Sequence, residues 1–319
     1  MIDFRYHLVS IVSIFLALAV GIVLGAGPLQ GEIGDTLSRE VAGLREDKAQ
    51  LNTQLQQSTA ARDGLDDYIG ETNPEVLSDV LVDRRVALVV LPGSDASVAE
   101  SSAASLRAAG ATVASTTSVT DAWVTTDEAT AASRDAAVGE AARATGVDIS
   151  ESGAVSPRDV LLAALLSASP QPGVEPVPAA TAVQGLAALV DADLVEVDTE
   201  GFQTADLVVV VSGVVGSGEP DARATAAERW VDLAIALDDR SSGALVAAET
   251  TTAAAGTSVL VAVRNDATAT RGVSTVDNAG TALGQASVVH GLVQQSAGDV
   301  GQFGFAGGAD APYAPLPAS

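Results

Sequence analysis

Few residues in this chain could do chemistry. It has two histidines, His7 and His290, one methionine, Met1, and no cysteine. Without thiols there is no disulfide, no thiolate nucleophile and no cysteine zinc site. Soft transition metals want sulfur first and imidazole second, so no metal site and no cofactor are expected. His290 is the only imidazole after the first seven residues. With Asp277 and either Ser212 or Ser274 it would complete a Ser-His-Asp set, but no G-x-S-x-G turn marks a nucleophile. A histidine on a helix surface is the commoner case, and Asp277-Asn278, placed before the last helix, most simply caps it. No catalytic residue is expected.

Two further constellations are weak. Gly213-Val-Val-Gly216-Ser-Gly218 follows a strand and precedes a helix, where phosphate loops sit, but it is neither G-x-G-x-x-G nor a Walker loop. Glu219 and Asp221 beside it would repel phosphate. Asp191, Asp193, Glu196, Asp198 and Glu200 could hold a hard cation weakly; a solvated acidic face is the usual meaning of such a run.

The elements that would position these residues form a regular series. Val86–Leu91 is a continuous apolar run ended by Pro92-Gly93, the mark of a buried parallel strand. Ser94 or Asp95 can cap a helix running to about Ala109. Strands follow at Thr112–Thr117, Leu194–Val197, Leu207–Ser212, Ala244–Ala248 and Val273–Val276. Helices are expected at 127–145, Pro157–Ala168, 179–191, Ala222–Leu237, Ser258–Val263 and Thr281–Gln295. Strands alternating with helices predict a three-layer α/β sandwich around a mostly parallel sheet over 85–295. Residues 296–319 are rich in Gly, Ala and Pro and are expected to be a flexible tail. Ligands of such folds lie at the carboxyl ends of the strands. That edge gathers Gly93, Ser94, Ser212, Gly213, Glu249, Asp277 and Asn278, the candidate ligand-binding set.

Ahead of this domain, Leu8–Gly27 carries no charge and is long enough, at about 1.5 Å per residue, to cross a hydrocarbon core of roughly 30 Å. Its weakly basic start and excess length favour an uncleaved anchor over a signal peptide. Arg5 on one side and Glu32 and Asp35 on the other predict residues 1–7 in the cytoplasm and the bulk outside a plasma membrane. Ser13, Ala17, Gly21 and Gly25 form a small-residue stripe suited to helix pairing. In the stalk, 28–70, the heptad steps Leu37, Val41, Leu44, Lys48, Leu51, Leu55 predict a short parallel coiled coil. Together these predict a homodimer.

The net charge is −25, and only Asp3 and Arg5 precede the apolar stretch, so 40 acids and 15 bases follow it. Such a surface disfavours nucleic acid and anionic lipid, which need Lys and Arg.

Phe4–Leu29 (FRYHLVSIVSIFLALAVGIVLGAGPL), the heptads after it, and Val273–Asn278 (VSTVDN) with Gly284-Gln285 resemble the actinobacterial family of mycobacterial copper transport protein B (MctB). The resemblance covers nearly the whole chain. It implies an envelope protein with one membrane helix, a coiled coil and an α/β domain, and a role in copper efflux or homeostasis. For the corynebacterial branch, associated with cell division, it implies a second membrane protein as partner at the septum. Set beside the residues, direct copper handling is poorly supported, and the span offers only Ser10 and Ser13 as polar lining. A non-enzymatic dimeric scaffold or adaptor is the preferred expectation. The alternatives are a direct copper-efflux pore component and a small-ligand-binding or degenerate enzyme-like α/β domain.

Overall fold

The computed structural model describes residues 4–26, 28–150, 155–168, 175–215, 219–249 and 258–316. The chain divides into two units, 1–65 and 66–319.

The first unit holds helix α1, Phe4–Ala26, and most of helix α2, Pro28–Val76. Phe4–Gly25 is apolar and long enough to cross a membrane, and none of it is buried against the protein. Ser13 Oγ donates to Val9 O at 2.8 Å, so this hydroxyl is satisfied inside its own helix. Open space surrounds the positions a Cβ would take at Gly21 and Gly25. On α2, Leu37, Leu44, Leu51 and Leu55 are exposed in the single chain. Lys48 is exposed as well, and Val41 is half-buried.

The second unit is built on a seven-stranded sheet of order β3-β2-β1-β4-β5-β6-β7. The strands are β1 (Arg85–Val90), β2 (Thr112–Val119), β3 (Val195–Val197), β4 (Leu207–Val211), β5 (Ala244–Ala247), β6 (Ser274–Val276) and β7 (Gln302–Phe303). All pairings are parallel except β2 with β3, a short antiparallel edge. The helices are α3 (Ala96–Ala108), α4 (Glu128–Thr145), α5 (Pro157–Leu166), α6 (Ala179–Asp191), α7 (Pro220–Asp239), α8 (Val259–Asn265), α9 (Ala269–Gly272) and α10 (Ala282–Ser296).

The central strands are apolar throughout because both sheet faces are covered. Ala87, Val89, Val208 and Val210 point into one core with α4 to α8; Val86, Leu88, Leu207 and Val209 point into the other with α3 and α10. These are the three layers expected. Helix α5 shows why its sequence is apolar all round: Arg158–Leu166 are all buried, since α4, α6 and α7 pack against it.

Capping follows local chemistry. Asp95 accepts from Ser97 N and starts α3; Asp127 accepts from Thr130 N and starts α4. Thr281 Oγ1, not Asp277 or Asn278, caps α10 by accepting from Gly284 N at 3.0 Å. Asp66 accepts from Ala282 N at 2.8 Å and satisfies another open donor of that helix.

The stretch read as a tail differs from expectation. Its described part supplies β7, parallel to β6, and buries Phe303 and Ala314. A strand of two residues in a glycine-rich segment leaves no periodicity to read. The same segment corrects the expectation for His290. Rather than facing solvent on α10, His290 is 4% exposed, because Ala314 and its neighbours lie over that side of the helix. Burial pushes its pKa below the ordinary imidazole value, while a backbone hydrogen bond with Ala314 opposes the shift.

Candidate functional site

The strand order reverses between β1 and β4, and this is where a doubly wound sheet opens a crevice at its carboxyl edge. Gly93 after β1 and Gly213 after β4 both reach that point. They do not leave a crevice there. A Cβ on Gly213 would stand 2.0 Å from Gly93 C and O and 2.2 Å from Ser94 N. A Cβ on Gly93, whose φ is +73°, would stand 2.6 Å from Val214 O. The two loops touch backbone to backbone, and only glycine permits it. Ser94 Oγ turns back to donate to Leu91 O at 2.7 Å.

The remaining expected residues separate. Asp277, fully buried, accepts from Arg264 Nη1 at 2.7 Å and from the backbone N–H of Phe305 and Ala306, each at 2.8 Å. Gly304, at φ +128°, lies so close that any Cβ would meet the Asp277 carboxylate. Arg264 also donates to Thr275 Oγ1 at 2.8 Å and to Phe303 O at 2.7 Å. The pair therefore stitches α8, β6 and the loop after β7. It is a buried ion pair with its hydrogen bonds made, not a base awaiting a substrate.

A Ser-His-Asp set does not assemble. Ser274 Oγ accepts from Gln295 Nε2 and Gly301 N, and Asp277 is occupied by its three donors. Ser212 Oγ and both side-chain polar atoms of Asn278 are buried without a hydrogen-bond partner. These two residues follow β4 and β6, two strands apart and so about 10 Å from each other. Glu249 is half-buried after β5, against Gly280. Gly216 to Gly218 of the loop motif lie outside the described residues. Among the described residues no group of three or more His, Cys, Asp or Glu is placed to hold a metal ion.

A second charged centre lies under the α4–α7 layer and was not foreseen. Trp123 Nε1 donates to Asp159 Oδ1 at 2.7 Å, and Arg158 Nε stands 3.6 Å from the same oxygen. Asp159 is fully buried. Desolvation raises its pKa to about 6, against the opposing pull of Arg158 and Trp123. Arg134 and Arg229 hold the neighbouring loop by donating to Thr125 O at 3.2 and 2.9 Å. The available signal was an Asp inside the apolar helix PRDVLLAALL; Arg264 in VLVAVRN gave the same one. A charge in an otherwise buried helix needs a buried partner.

The fold and its edge thus define a doubly wound α/β domain, with a closed switch-point crevice, following one apolar N-terminal helix. The chain belongs to the MctB family, described as "Copper transport outer membrane protein, MctB", which matches residues 1–314. It is similar to the protein named "Copper transporter MctB" of Mycobacterium tuberculosis (strain ATCC 25618 / H37Rv), 30% identical over 325 residues covering 97% of this chain and 98% of that protein. The protein of the same name from Mycobacterium bovis (strain ATCC BAA-935 / AF2122/97) matches with the same identity, 30%, and the same coverage.

Proposed function

We propose that this chain is a single-pass envelope protein that serves copper homeostasis as a non-enzymatic, dimeric scaffold or adaptor for a second membrane protein. The copper connection comes from the relatives' name. The observation that carries the scaffold reading is the backbone contact between Gly93 and Gly213, which occupies the place where a doubly wound sheet takes its ligand. Asp277, the acid at that edge best placed for chemistry, is committed to Arg264. The donors a soft metal needs are scarce in the sequence, and His290 is buried in a packed helix layer.

In this reading α1 anchors the chain in the plasma membrane with residues 1–7 in the cytoplasm. The family description names an outer membrane instead. The sheet argues against a barrel: its strands are apolar on both faces and covered by helices, whereas outer-membrane strands alternate. The small-residue face of α1 and the exposed leucines of α2 would pair two copies.

The test is purification of a Leu44→Cys chain from its own membranes in mild detergent. The expected product is a disulfide-linked dimer carrying a stoichiometric second membrane protein. A monomer recovered alone would contradict the proposal.

A further inference from the structure

Helices α7 and α8 follow adjacent parallel strands and return along the same face, so they run parallel to each other. A groove of about 740 Å³ lies between them, within the size range of small-ligand sites. Its two ends carry opposite chemistry. At the end nearer the carboxyl edge of the sheet stand Arg223 and Ser258. Arg223 Nε and Ser258 Oγ are both buried and both lack a hydrogen-bond partner. Ser258 is 1% exposed, yet as the residue before α8 it makes no capping bond. Leaving such buried donors unmet is costly, most of all for a charged group. The other end is lined by Glu228, Asp232 and Asp266. Asp232 is half-buried, and desolvation raises its pKa first, with Asp266 and Glu228 adding to the rise and Arg158 and Arg229 opposing it. Among the described residues none of these three acids makes an ion pair within 4 Å, so the end is open to a cation, as Arg223 is to an anion. Between the ends the floor is apolar, with Ala227 and Val231. The acids of the first turn of α7 and just before it, Asp221 and Glu219, do not line the groove.

Asp232 lies nine positions after Arg223 on α7, a rise of about 13 Å. An extended peptide of about four residues spans that length. We propose that the α7–α8 groove binds the carboxyl-terminal segment of a short peptide, its carboxylate on Arg223 and Ser258 and a basic side chain three residues before the last between Glu228, Asp232 and Asp266. This goes beyond the scaffold reading and does not depend on dimerisation or on copper.

The test is calorimetry on the full chain in detergent micelles with the tetrapeptide acetyl-Lys-Ala-Ala-Ala. Its C-terminal amide and acetyl-Ala-Ala-Ala-Ala are the comparison peptides. The free acid should bind, and losing either charge should weaken binding about tenfold or more, the equivalent of about 1.4 kcal/mol. Arg223→Gln should bind acid and amide alike, at the wild-type amide's level. Asp232→Asn should lose the preference for lysine while keeping that for the carboxylate. Circular dichroism checks that both variants are folded. No heat for any peptide up to about 5 mM, equal binding of acid and amide by the native chain, or an unchanged Arg223→Gln would each overturn the proposal.

Discussion

Asp277 is the residue on which an enzyme and a scaffold reading part most sharply. With Arg264 Nη1 at 2.7 Å and two backbone donors at 2.8 Å, its carboxylate is saturated by three donors from two segments. Removing its charge leaves Arg264 buried and unpaired, so Asp277→Asn should cost about 3–5 kcal/mol of stability, seen as a fall in Cm at constant m. Asp238 makes a pH-dependent prediction. Burial raises its pKa to about 6, a hydrogen bond from Ala244 N pulling the other way. Because the folded chain then binds more protons than the unfolded one between roughly pH 4 and 6, stability from this group is highest below that window and is lost as pH rises through it. Asp238→Asn removes the group's titration. Its Tm relative to the native chain should therefore climb from pH 4 to pH 7, and a constant difference across that range would refute the assignment.

Among the elements, the loops after β1 and β4 matter most. Gly213→Ala would drive a methyl group into Gly93 backbone atoms 2.0 Å away. The expected penalty is about 3 kcal/mol, the upper end for overpacking, measured by denaturant unfolding. A neutral substitution would mean that the crevice is able to open. The sheet itself was largely legible. Strands such as Leu207–Val211 are unbroken apolar runs, which a parallel sheet covered on both faces demands. Helices α3 and α4 announce themselves by Asp95 and Asp127. What the sequence hid depends on distant partners. β7 exists because Asp277 and Arg264 hold Phe303 to Ala306 in place, 25 or more residues away in sequence. His290 is buried by a segment whose composition suggests a tail. Gly93, Ser94, Ser212 and Gly213 share one sheet edge, as strands ending before them require; its closure was not legible, because contact between two loop backbones leaves no pattern in either loop. Arg223 and Ser258, whose unmet donors mark the groove, look ordinary until their burial is known.

At the scale of the whole molecule, one apolar helix precedes a domain whose chain carries 41 acids and 16 bases. An anionic surface would attract any cation loosely and screenably, which differs from holding copper at a built site. This member of a copper-transporter family is expected to act without a high-affinity copper site of its own. The direct measurement is anaerobic Cu(I) titration of the full chain in detergent micelles against a competing chelator. The expected result is no binding tighter than about 1 μM, equivalent to about 8 kcal/mol. Stoichiometric submicromolar Cu(I) binding would contradict it and restore the direct efflux reading.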